Sequence, residues 1–98
     1  MNLEEAIQKV IELRRRKIHK EHNPIYNKSL EVKIQTFEKA PRNKRKLHDL
    51  IIDKKYAANN SEDIYSSQTL LWELDSLEHI YHMIEMIEHG EPVEGLVR

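Results

Sequence analysis

The sequence predicts an all-α protein: a small three- or four-helix bundle, or a helical hairpin, with a long C-terminal helix. Three observations carry this expectation. Apolar residues recur at steps of three and four along most of the 98 residues, the period of one helix face. The two glycines and three prolines fall between or after these periodic stretches rather than inside them. Hydrophobic residues make up 39% and charged residues 34%, enough for one modest core beneath a heavily charged surface.

The first helix is expected from Leu3 to about His22, with Leu3, Ile7, Val10, Ile11 and Ile18 on one face. Asn2 is its candidate N-cap, and Glu4 and Glu5 suit its first turn. Asn23-Pro24 stops it, because the residue before a proline is pushed out of the α region. Between Ser29 and Ala40 the pattern is ambiguous. Leu30, Val32 and Ile34 alternate as in a strand, while Leu30, Ile34 and Phe37 also fit a helical face. A lone strand would have no partner here, so a short helix is expected.

Pro41 suits the first turn of a third helix running from Arg42 to about Ala58, with Leu47, Leu50, Ile51 and Tyr56 turned inward. Asn59-Asn60-Ser61 breaks it, and Ser61 is the expected cap of the next. That last helix, about Glu62 to His89, has a seam: Leu70, Leu74, Leu77, Tyr81 and Ile84 step by four and three as in a coiled coil. Gly90 and Pro92 end it. Residues 1–92 form the expected domain and 93–98 a loose tail. At 1.5 Å per residue such a helix runs ~42 Å, against a radius of gyration of ~13 Å for a compact domain of this size. Its seam is therefore expected to pack against a second copy, making the protein a homodimer.

Charge is strongly segregated. Residues 1–55 hold 15 Lys/Arg against 8 Asp/Glu, and residues 56–98 hold 1 against 9. The halves are expected to attract each other, leaving a fraction of the cations for a polyanion. No cysteine is present, which excludes disulfides and thiolate metal sites and fits a reducing compartment. Glu4 and Glu5 stand where a signal peptide would be basic, and no apolar run approaches the ~18 residues of a membrane span. A cytoplasmic protein without membrane contact is expected.

The residues that carry candidate chemistry are few. Arg14-Arg15-Arg16-Lys17 and Arg42, Lys44, Arg45 and Lys46 are the candidates for nucleic-acid contact, since phosphate binding needs several cations on one face. No aromatic residues interleave with them for base stacking. Arg42-Asn43-Lys44-Arg45-Lys46-Leu47-His48 resembles the Arg-polar-x4-His motif of HEPN-type ribonucleases, which are helical and often dimeric. That resemblance implies Arg42 and His48 as catalytic residues and Asn43 as their polar support. Glu73-Leu74-Asp75 and Leu77 are similar to a signature of small helical-hairpin regulators that bind response regulators. Leu71-Trp72 replaces the Ser-Gln pair of that signature, and the reading is set aside.

His19/His22 and His79/His82 are spaced i, i+3, and Glu78, His82, Glu85 and His89 form a stripe. The last helix has no Glu-x-x-His motif of the kind that carboxylate-metal bundles use, so neither a metal nor another cofactor is expected. Trp72, Tyr65 and Tyr81 are candidate anchors for a partner, as aromatics dominate binding hot spots; Tyr81 is expected in the core, and Trp72, off the seam, is the better candidate. The leading expectation is a small helical interaction or regulatory protein, of adaptor or inhibitor type as in bacteria and phages, that binds a larger protein. Nucleic-acid binding and the ribonuclease reading are the alternatives.

Overall fold

The computed structural model describes every residue except Glu21. Among the described residues there are four α-helices and no strand: α1 Leu3–Lys20, α2 Pro24–Lys39, α3 Lys44–Asn59 and α4 Ile64–Glu88, followed by a short 3₁₀ turn at Glu94–Leu96. The all-α fold class is therefore as expected, and the ambiguous segment is helical.

Each α-helix begins at an Asn or Asp whose side chain accepts from the exposed N–H groups of the first turn. Asn2 accepts from Glu5, Asn23 from Ile25 and Tyr26, Asn43 from Lys46, and Asp63 from Tyr65. These caps correct three boundaries. Asn23-Pro24 does more than end α1, because Asn23 caps α2 and Pro24 occupies its first turn. α2 thus starts five residues before Ser29. The third helix starts at Lys44 rather than Arg42, because Asn43 takes the cap and leaves Pro41 outside. Ser61 yields the α4 cap to Asp63, and its hydroxyl donates instead to the Asp63 carbonyl.

At the other end of α4, Gly90 has φ +71°. The Gly90 N–H donates to the Ile87 carbonyl and the Glu91 N–H to that of Met86, the paired closure of a Schellman motif.

One core runs through the bundle. α1 contributes Ile7, Val10 and Ile11, α2 Ile34 and Phe37, α3 Leu47 and Ile51, and α4 Leu74, Leu77, Ile80, Met83 and Ile84. α4 is the central element: it packs most extensively on α3 and α2 and touches α1, while α1 lies on α2. Lys44 meets Glu85 and Glu88 while Lys54 meets Glu73, so α3 and α4 run antiparallel.

The molecule is a slab of 41 × 34 × 18 Å with a radius of gyration of 13.9 Å. At 1.5 Å per residue the 25 residues of α4 extend ~37 Å, so α4 fits the long dimension without overshooting it. The expected loose tail is also corrected. Val93 is 1% exposed within the core, and Leu96 and Val97 pack against it. An apolar residue just past the helix stop gives the chain a reason to fold back.

Among the described residues, no helix is long and apolar enough to cross a membrane.

Candidate functional site

The basic segment before α3 is engaged within the chain. Arg42 donates through Nε to the Glu4 carboxylate at 2.8 Å, and through Nη1 to the carbonyls of Phe37 (2.9 Å) and Ala40 (2.5 Å). Those carbonyls lie at the end of α2, where no further turn supplies donors. Arg42 is thus the side-chain cap of α2 and ties it to the start of α1.

Lys44 pairs with Glu88 at 3.3 Å and sits 5.4 Å from the centre of the Tyr81 ring. The hydrogen bond to Glu88 holds its ammonium above the ordinary lysine range. Asn43 is a helix cap. The His48 ring lies 6.4 Å from that of Tyr81 and its Nδ1 is 4.0 Å from Asp49. No described contact joins Arg42 to His48, so the three residues of the ribonuclease-like motif have separate surroundings. Arg45 and Lys46 are exposed and make no described ion pair.

The first basic cluster is likewise divided. Arg15 pairs with Glu38, and Arg16 and Lys17 are exposed. Arg14 is only 7% exposed. Elsewhere Lys33 pairs with Asp75, Lys54 with Glu73 and Lys55 with Glu78. Together with Lys44 these lysines reach every acidic residue of α4, so the two charged halves attract each other inside one chain.

The Arg14 guanidinium donates to Ser76 Oγ at 3.3 Å and lies 4.6 Å from the centre of the Phe37 ring. Burial lowers its pKa from the ordinary arginine value, with Asp75 and Tyr26 opposing. Phe37 also meets the edge of His79 at 5.3 Å, and His79 Nε2 is 2.5 Å from the Leu96 carbonyl. Burial lowers the His79 pKa, with the Leu96 hydrogen bond opposing. Arg14 and His79 border a surface groove of about 520 Å³ between α1, α2, α4 and the C-terminal turn. The sequence offers Arg14 as one of four consecutive cations for nucleic-acid contact, and the structure buries it. A cation at i+3 and i+4 from Ile11 and Val10 was the available sign that it shares the buried face.

The expected interface seam is largely core. Leu74, Leu77 and Ile84 are buried, and Leu70 and Tyr81 are half-buried. Trp72 is half-buried as well. The large apolar side chains left in solvent lie elsewhere. Ile52 (52% exposed) and Tyr56 (72%) stand one turn apart on α3, Ile64 (79%) and Tyr65 (83%) open α4, and Leu71 (55%) follows. Five such residues fall within twenty positions along α3 and the first turns of α4, Tyr56 among them against the inward expectation, and Ile25 (72%) is exposed at the start of α2. His82 pairs with Glu85 at 3.6 Å, and His19 and His22 are exposed. Comparison with family models, curated proteins and solved structures finds no match to this chain.

Proposed function

We propose that this chain is a helical interaction protein of adaptor or inhibitor type that docks its α3–α4 corner onto a protein partner. The carrying observation is the set of exposed apolar side chains there, Ile52, Tyr56, Ile64, Tyr65 and Leu71. Apolar groups in water favour burial by about 25 cal/mol per Å², and aromatic side chains such as Tyr56 and Tyr65 are common anchors of protein interfaces. The charged residues around them supply a polar rim. Without its partner, the same face is expected to pair reversibly with a second copy, since a net charge of −1 provides little long-range repulsion.

Sedimentation equilibrium of the wild type and of the Tyr56→Ser/Tyr65→Ser variant tests the reading. The wild type should form a concentration-dependent dimer, and the variant should be monomeric with an unchanged thermal transition. A wild type that stays monomeric at high concentration, or a variant that dimerises equally, contradicts it.

Nucleic-acid binding is the second reading, supported by the exposed Arg16, Lys17, Arg45 and Lys46, which make no ion pair among the described residues. These cations lie on two separate helices, and Arg42 and Lys44 already have partners. The ribonuclease-like reading rests on Arg42 and His48, whose described contacts are with other groups.

A further inference from the structure

The Arg14 groove has the chemistry of an oxyanion site. A guanidinium presents five N–H donors in a planar fork. That of Arg14, 7% exposed, makes one described side-chain hydrogen bond, to Ser76 Oγ at the long distance of 3.3 Å, and no described ion pair. The Phe37 ring beneath it supplies attraction without accepting a hydrogen bond in the guanidinium plane. The fork therefore keeps donors for a planar or tetrahedral anion on the groove side.

The charges around it agree. Arg14, Lys17, Lys33 and Arg98 line the groove against Asp75 and Glu78, and both carboxylates already have lysine partners, Lys33 and Lys55. The balance at the groove is positive in a protein whose net charge is −1. Its volume, about 520 Å³, falls in the small-ligand range of ~300–1,000 Å³ and exceeds what a bare anion fills. Tyr26, Leu30 and Leu96 supply apolar wall for the rest of such a molecule.

We infer that this groove binds a small organic oxyanion, with the charged head on Arg14 and Lys17 and an apolar body against Tyr26, Leu30 and Leu96. A phosphate monoester fits this description, with two negative charges for the surrounding cations and three oxygens for the fork. The site shares no lining residue with the α3–α4 corner and is independent of the docking reading.

Phenyl phosphate, inorganic phosphate and benzylamine are the probes, titrated into isotope-labelled protein and followed by NMR. Phenyl phosphate should bind with a dissociation constant of about 1 mM or tighter, inorganic phosphate more weakly, and benzylamine not at all. The signals that move should be those of Arg14, Lys17, Ser29, His79 and Leu96. Arg14→Met should weaken binding at least about tenfold, with the melt of the variant recorded beside it because the buried Ser76 hydroxyl loses its described donor. Lys17→Ala, at an exposed position, should give a smaller loss with no change in the melt.

Equal binding of benzylamine, shifts that map outside the groove, or affinity unchanged in Arg14→Met and Lys17→Ala would overturn the inference. So would the absence of any shift with phenyl phosphate at about 10 mM. The wild-type shift map decides the matter even if Arg14→Met fails to fold.

Discussion

Arg42 and Arg14 show how one residue type takes opposite roles according to what lies within its reach. Arg42 holds carbonyls that α2 leaves unsatisfied, and removing it leaves acceptors without a donor. Arg42→Ala should cost about 1–3 kcal/mol in urea denaturation, whereas Arg45→Ala, exposed and without an ion pair among the described residues, should stay within about 0.5 kcal/mol. Equal effects would refute the capping role.

His79 offers a test in pH. Burial lowers its pKa below the unfolded value of 6.5, with Arg14 and Arg98 acting in the same direction and the Leu96 carbonyl and Asp75 opposing. The folded state then binds fewer protons than the unfolded chain, so this contribution to stability is full above pH 6.5 and is lost as pH falls toward the lowered folded value. Denaturation midpoints of wild type should fall between pH 7 and 5 more steeply than those of His79→Gln. Parallel curves would mean that His79 is not held neutral by its surroundings.

At the scale of the element, the helices were legible in the sequence because period and capping residues agree. The first and last ends of α4 fall within two residues of expectation. The Gly90 stop was readable because φ +71° is a backbone that glycine adopts freely and other residues rarely do. Gly90→Ala should therefore cost about 1 kcal/mol, although no atom lies within 4 Å of a Cβ placed there. Gly95→Ala, with no positive φ and equally open space, should be close to neutral.

What periodicity did not reveal is the partner of a face. The Leu70–Ile84 seam has the rhythm of a dimer interface, yet α2 and α3 of the same chain cover most of it. A four-three repeat reports that one side of a helix is apolar and is silent on what buries it. Leu77→Ala should cost about 2–5 kcal/mol as a core cavity, and Leu71→Ala less than about 0.5 kcal/mol. Comparable losses would return the seam to the surface. Of the corner residues, Tyr65 was legible as a candidate anchor, whereas Tyr56 was expected inward and Ile52 and Ile64 drew no reading, for a related reason. Ile52, Tyr56, Ile64 and Tyr65 are ordinary apolar residues by type, and only the placement of the helices leaves them uncovered. Arg14 was missed because its neighbours Arg15, Arg16 and Lys17 are exposed, and burial changes within one residue along a helix.

For the whole molecule, segregated charge is spent inside the fold. Lys33, Lys44, Lys54 and Lys55 lie against the five acidic residues of α4. Each such surface pair is weak, but together they offset part of the cationic charge that a polyanion would meet. Binding to nonspecific RNA or DNA should be at or weaker than ~10⁻⁴ M at physiological salt. Replacing Arg42, Lys44, Arg45 and Lys46 with alanine should lower the melting temperature more than it changes that binding. Micromolar affinity with a steep salt slope, abolished by the replacement, would favour the nucleic-acid reading.

With the seam buried and most acidic side chains of the second half paired, the exposed apolar corner is the surface from which association should begin. A dilution series followed by two-dimensional NMR tests this directly, because it identifies the residues that associate as well as the assembly. Signals of Ile52, Tyr56, Ile64, Tyr65 and Leu71 should shift with concentration, while those of Leu74, Leu77 and the α1 residues Ile7 and Val10 stay fixed. Concentration-dependent shifts confined to α1 and α2, or none at any residue up to the highest concentration reached, would contradict the corner as the docking face.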